Sequence, residues 1–187
     1  MDDLPRRLAM VALLRGINVS GRRTVAMGDL AHSLEDLGLH DVRTYRQSGN
    51  VVFESERASP EEIAAAIERR VAADFGHDVS VLVVPGSVLQ NVASSNPFAG
   101  LPDVDEGWLH VTFLDRPHAG DCTAEADPPA VDGERATRIG DVVYLLLPRG
   151  YARTKLNNAF FEKACGTVAT TRSWRTVLAL ARLLSSM

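Results

Sequence analysis

A five-residue pattern occurs twice in this chain, as Gly49-Asn-Val-Val-Phe53 and as Gly140-Asp-Val-Val-Tyr144, at a constant offset of 91 residues. Each copy is preceded by a strand-like stretch and followed by a helical one. The shared order of elements points to an internal duplication. The first copy lies inside Arg43-Thr-Tyr-Arg-Gln-Ser-Gly-Asn-Val-Val-Phe53, which reads as two strands, Val42 to Ser48 and Val51 to Ser55. A two-residue Gly49-Asn50 turn joins them, with Gly supplying a positive φ. The chain is thereby constrained to two related halves, each with a hairpin at its centre.

The elements around the first hairpin complete a pattern. Leu8 to Leu14 is a short apolar run ended by Arg15-Gly16, as expected of a buried central strand. Met27, Leu30, Leu34 and Leu37 stand at helical spacing before Gly38. Ser59-Pro60-Glu61-Glu62 starts a second helix: a capping hydroxyl, Pro in the first turn, and carboxylates at the positive end of the dipole. Ile63, Ile67, Val71 and Phe75 form its apolar face, Gly76 stops it, and Val79 to Val84 is a fourth strand. The order βαββαβ predicts a ferredoxin-like plait.

A short helix from Ser87 to about Ala93 and a connection containing Asn96-Pro97-Phe98 lead into the second half. There Leu109 to Leu114 is a strand, Cys122 to Ala126 a weak helical segment, and Glu134 to Ile139 with Val142 to Leu147 a hairpin about Gly140-Asp141. Lys155 to Cys165 and Ser173 to Leu184 are helices. The second copy is expected to be degenerate, ending in a helix where the first has a fourth strand. The fold class is α+β: duplicated ferredoxin-like plaits, βαββαβ followed by βαββα and a C-terminal helix. The expected division is residues 1–93, a connection 94–106, and residues 107–187.

Several stretches together resemble a known family. They are Ala12-Leu-Leu-Arg-Gly-Ile-Asn-Val19, Met27 with Leu30, Val42 to Phe53, Asn96-Pro-Phe98, Thr154-Lys-Leu156 and Ala169-Thr-Thr-Arg-Ser-Trp-Arg-Thr-Val177. The match resembles the bacterial domain-of-unknown-function family 1697 and runs from about residue 8 to 185. The resemblance implies a duplicated ferredoxin-like α/β fold and no reaction. The chain departs from the family at Ser20-Gly21-Arg22-Arg23, where Gly-Gly-Lys-Asn is more usual, at Arg46, where Ile is usual, and at Ser173, where Asn is usual. A role needing a lysine ammonium near position 22 is not available to it.

Charge and length exclude some classes. The net charge of −4 argues against a general nucleic-acid binder, and the apolar runs are too short to span a bilayer. Asp2 and Asp3 ahead of the first arginines are unlike a secretory signal. Cys122 and Cys165 are isolated in sequence, and a cytoplasmic location with free thiols is the expectation. The charge is unevenly spread: Leu101 to Pro148 has net charge −7 and Arg149 to Met187 net +6. Such a basic tail can focus an anion, or it can neutralise the acidic stretch beside it.

In a ferredoxin-like plait the first two strands run parallel, so their C-terminal ends share one sheet edge. That brings Arg15, Gly16 and Asn18 to the hairpin residues Gln47, Ser48 and Asn50. Arginine offers a planar fork of donors for phosphate or carboxylate, and glycine loops let backbone amides approach an anion. The same residues are also explained as hairpin and loop closures, with Arg15 paired to a carboxylate such as Asp41. Arg153-Thr-Lys-Leu-Asn-Asn158 and Thr170-Thr-Arg-Ser-Trp-Arg175 open the last two helices, adding Lys155, Asn157, Thr171, Arg172 and Arg175 as candidate ligand-binding residues. Thr154 as a helix N-cap explains the first of these without a ligand. If both fold against the first edge, one composite cleft between the halves results.

Gly16 to Arg23 is close to a phosphate loop but has Arg22 for the Lys and Arg23 for the Mg²⁺-binding hydroxyl. The five histidines show no ligand spacing, so no metal and no cofactor are expected. No catalytic residue can be named: there is no nucleophile elbow, and the motif stretches lack Asp and Glu. The leading expectation is a cytoplasmic protein, monomer or homodimer, that binds an anionic or phosphorylated small molecule. The alternatives are an interaction module with a homodimer or partner surface, and a nucleic-acid binder using the basic C-terminal segment.

Overall fold

The computed structural model describes residues 7–18, 23–56, 59–115 and 133–187. The chain forms two compact units. One comprises the described residues up to Gln90 with Leu180–Met187, the other those from Asn91 to Ala179.

The first unit runs β1 (Leu8–Leu14), α1 (Met27–Asp36), β2 (His40–Tyr45), β3 (Asn50–Ser55), α2 (Pro60–Phe75), β4 (Val81–Pro85), then α3 (Gly86–Ser94). Its four strands stand in the order β2-β3-β1-β4 with every neighbouring pair antiparallel. β1 is central, and Ala12 faces Val51 on one side and Val83 on the other. Side chains alternate across a strand. Met10, Ala12, Leu14, Val51, Phe53, Val81 and Val83 therefore share one face, and Leu30, Leu34, Ile63, Ile67 and Val71 of the two helices pack on it. Burying each of these larger aliphatic side chains stabilises the unit by about 1.5–3 kcal/mol before chain entropy is subtracted. α2 begins and ends as its sequence predicts: Ser59 accepts from the Glu62 amide, Pro60 opens the first turn, and Gly76 is left-handed at φ 68°. Outside the core, Arg70 of α2 reaches Asp74 at 2.7 Å and Asp36 of α1 at 3.3 Å, and Ser33 of α1 donates to Asp74 at 2.6 Å.

The first hairpin departs from expectation. The closing pair is Tyr45 with Asn50, so the turn is the four residues Arg46 to Gly49. Arg46 takes φ 55° and Gly49 φ 67°, and the buried Asn50 donates to Ser48 Oγ at 2.9 Å. The second hairpin is a two-residue turn as predicted, with Ile139 facing Val142 across Gly140-Asp141.

The second unit has β5 (Leu109–Leu114), β6 (Arg135–Ile139), β7 (Val142–Leu146), α4 (Asn158–Cys165), β8 (Ala169–Ser173) and α5 (Trp174–Leu184), whose last turn belongs with the first unit. The predicted helix at Cys122 to Ala126 lies outside the described residues. The sheet order is β6-β7-β5-β8, again antiparallel throughout. A fourth strand is therefore present, and the expected degenerate ending in a helix is corrected. Ala-Thr-Thr-Arg-Ser is polar and precedes a helix, yet Thr170 and Thr171 are β-branched and pair with Phe113 and Thr112 of β5. Ser173 closes the strand and caps α5, accepting from the Thr176 amide at 3.4 Å.

α4 starts three residues later than predicted. Its cap is Asn157, which accepts from the Phe160 amide at 3.1 Å, whereas Thr154 is buried, accepting from the Leu156 amide and donating to Glu134. Leu114, Val143, Leu145, Leu147, Leu156, Phe161 and Ala169 form the core about Cys165. Cys165 is disulfide-bonded, which corrects the expectation of free thiols; Cys122 lies outside the described residues. Among the described residues no helix is long and apolar enough to cross a membrane.

Candidate functional site

In the first unit the loop after β1 meets the β2–β3 hairpin. The Leu14 amide donates to the Gly49 carbonyl at 2.8 Å, and the Arg15 amide to Ser80 at 2.9 Å. Asn18 ties the loop to its own return: its side-chain amide donates to the Val25 carbonyl and accepts from the Val25 amide, both at 2.8 Å. The amides of Asn18 and Asn50 thus serve as local braces. Arg15 is half-buried, while Arg23, Arg46, Gln47 and Ser48 are exposed. The edge carries an unusual run of left-handed backbone: Gly16 at 71°, Asn18 at 53°, Arg23 at 49°, Arg46 at 55° and Gly49 at 67°. Residues 19–22 of this loop lie outside the described residues.

Three guanidinium-bearing residues are therefore brought to one edge. A Cβ placed on Gly16 would stand 3.5 Å from Arg23 Nη1. Arg46 lies over the Tyr45 ring, 5.5 Å from its centroid. Among the described residues neither Arg23 nor Arg46 meets a carboxylate. Asp41, the acid suggested for Arg15, is engaged by Arg43 at 2.7 Å.

The second unit gathers a different set. On β5, His110 and Thr112 share a face, and Thr112 pairs with Thr171 of β8 at 2.8 Å between hydroxyls. Thr171 also donates to Asn158 Oδ1 at 2.6 Å. The Tyr151 hydroxyl lies 3.2 Å from Asn158 Oδ1 and from Thr171, and accepts from the Asn158 amide at 3.2 Å. His110 stacks on Tyr151 with ring centroids 5.5 Å apart, and burial lowers its pKa. Arg172, on the neighbouring register position, donates to Thr170 Oγ1 at 2.8 Å and to the Thr171 carbonyl at 3.0 Å. Desolvation pulls its pKa down to about 10, against the opposing effect of Tyr151, so it stays charged at neutral pH.

Of the residues predicted here, Thr171 enters this network, Arg172 lies beside it, Asn157 caps α4, and Lys155 and Arg175 are exposed. Thr112, Tyr151 and Asn158 were missed by sequence reasoning. Thr112 left a signal, because Leu109-His-Val-Thr-Phe-Leu114 alternates polar and apolar residues over its first four positions, marking one polar sheet face. Among the described residues no group of three or more His, Cys, Asp or Glu could hold a metal ion.

No curated protein matches this chain. Its fold is similar to that of a conserved bacterial protein from Streptococcus pneumoniae, with a TM-score of 0.68 over 96% of this chain and 99% of the other. At 20% identity that likeness concerns fold alone. The model of a family described as "Protein of unknown function (DUF1697)" matches residues 8–144, most of the chain, and the chain belongs to that family.

Proposed function

We propose that this protein binds an anionic small molecule bearing phosphate at the edge where the β1–α1 loop meets the β2–β3 hairpin. The observation that carries this is the placement of Arg23 and Arg46: both hold left-handed backbone and neither meets a carboxylate among the described residues. Left-handed φ in a non-glycine residue costs on the order of 1–3 kcal/mol, and such strain concentrates at ligand sites. Left-handed residues near one another also turn backbone N–H groups into an anion-binding concavity. Arginine adds a planar fork of donors that matches phosphate in two-pronged fashion. Arg15, Gln47 and Ser48 complete the set.

We also infer that each unit is a ferredoxin-like plait and that the two arose by duplication. What supports this is the common strand order, with the same directions, and the placement of Gly49-Asn50 and Gly140-Asp141 at equivalent hairpins.

The test is a thermal-shift screen against inorganic phosphate, sugar phosphates, nucleotides and dicarboxylates, repeated on Arg23→Ala and Arg46→Ala. A phosphate-bearing compound should raise the melting temperature with occupancy, and the rise should vanish in both variants. The absence of any shift, or a shift that persists in both, would refute the assignment.

A further inference from the structure

We propose a second binding site, at the opposite end of β1, for a small anion with a short aliphatic tail. A cavity of about 430 Å³ opens there, lined by Arg7, Leu8, Met10, Pro85, Ser87 and Leu184 among others. Its size lies in the range of small-molecule pockets, about 300–1,000 Å³. β1 has seven residues. At about 3.3 Å per residue, it holds the two sites roughly 20 Å apart.

The walls divide by chemistry. Leu8, Met10, Pro85 and Leu184 form the apolar side. Leu8 is 38% exposed, a large aliphatic residue turned toward an open pocket. One wall is tightly assembled: a Cβ on Gly86 would stand 2.8 Å from the Ala9 carbonyl oxygen and 3.2 Å from Leu184 Cδ2. Glycine there lets α3 start directly against β1.

The polar side is Arg7, Ser87 and Gln90. Arg7 contacts Glu56 through Nε alone, at 3.5 Å, and both side chains are more than 40% exposed. An exposed pair of this kind contributes little. The two terminal nitrogens of the guanidinium can take a carboxylate or phosphate head, while Ser87 and Gln90 supply further hydrogen bonds and the tail lies on Leu8 and Leu184. Charge complementarity selects an anion, and the apolar wall selects an aliphatic tail.

Calorimetric titration of the full chain with hexanoate, hexyl phosphate, acetate and hexanamide tests this. Hexanoate should saturate one site, which hexyl phosphate should also fill, with acetate weaker than hexanoate by about fourfold per missing methylene. Hexanamide, uncharged but of the same shape, should bind at least tenfold more weakly than hexanoate. Arg7→Gln should weaken hexanoate at least tenfold at an unchanged melting temperature, and Ser87→Ala with Gln90→Leu should weaken it in a second, independent variant. Arg46→Ala, at the far end of β1, should leave hexanoate binding intact. Failure of both tailed anions to bind at millimolar concentration, equal binding of hexanamide, or loss in Arg46→Ala but not in Arg7→Gln would overturn the proposal. The phosphate site stands or falls separately, on its own variants.

Discussion

The Leu14 amide donates to the Gly49 carbonyl at 2.8 Å, and a Cβ on Gly49 would stand 2.9 Å from both the Cβ and the carbonyl oxygen of Leu14. The hairpin tip is thus pressed onto the end of the central strand, at a left-handed residue, φ 67°. Gly49→Ala meets both penalties, conformational and steric. It should cost about 2–5 kcal/mol, the sum of an αL penalty of about 1–2 and an overpacking penalty of about 1–3. Gly140→Ala meets only the first, because nothing lies within 4 Å of its Cβ position, and should cost about 1–2 kcal/mol. Urea melts of the two variants check the ordering; equal losses would mean that the Leu14 contact is relaxed in solution.

Arg46 is the residue at which stability and binding should part company. Its backbone is left-handed at the hairpin tip, φ 55°, where glycine is free of strain. Arg46→Gly should stabilise the protein by about 0.5–1 kcal/mol, less than the αL penalty because glycine also gains entropy in the unfolded chain. The same substitution removes a guanidinium from the proposed phosphate site and should abolish the thermal shift given by a phosphate-bearing compound. A variant that gains stability and keeps the shift would exclude Arg46 from binding.

The hydroxyl network of the second unit should behave as one body. Tyr151→Phe leaves the Asn158 amide without its acceptor and removes a donor to Asn158 Oδ1 or Thr171. A cost of about 1–2 kcal/mol is expected, and Thr171→Val should cost a similar amount. Because both substitutions strike the same acceptors, the double variant should lose less than the sum, a coupling of about 0.5 kcal/mol or more. Additive losses would show that the hydroxyls act independently.

Two groups set two windows of acid sensitivity. The hydrogen bond from Ser33, with the Arg70 charge, holds the Asp74 carboxyl below its ordinary 3.8 against the opposing cost of burial. A depressed carboxylate pKa contributes stability that is complete above the unfolded value and lost as pH falls through the folded one, here below about 3.8. Burial holds the His110 pKa below 6.5, so the unfolded chain takes up that proton first and stability declines as pH drops below 6.5. Denaturant midpoints followed from pH 8 to 3 should fall in both windows. His110→Phe should flatten the upper window and Asp74→Asn the lower. A profile unchanged by either substitution would remove that group from the linkage.

The sequence by itself determined the elements whose energetics are local. An apolar run bounded by Arg15-Gly16, helical spacing from Met27 to Leu34, Ser59-Pro60 at one helix start and Gly76 at its end all act through residues a few positions apart, and each stands in the structure as expected. The juxtaposition of the β1 loop with the β2–β3 hairpin was also legible, because it follows from strand order alone. Tertiary structure decided the rest. β8 is polar, and beyond its two β-branched threonines it is a strand because Thr171 meets Thr112, fifty-nine residues away. The first hairpin closes at Tyr45 with Asn50, so Arg46 to Ser48 left β2 for the turn and Asn50 joined β3, a register set by the pairing of the two strands. Tyr151 became a neighbour of Thr171, twenty residues away, and Asn158 joined them, through the same kind of closure. Caps and periodicity are written in adjacent residues, whereas the partner that satisfies a buried hydroxyl or pairs an edge strand is chosen only when the chain has already folded back on itself.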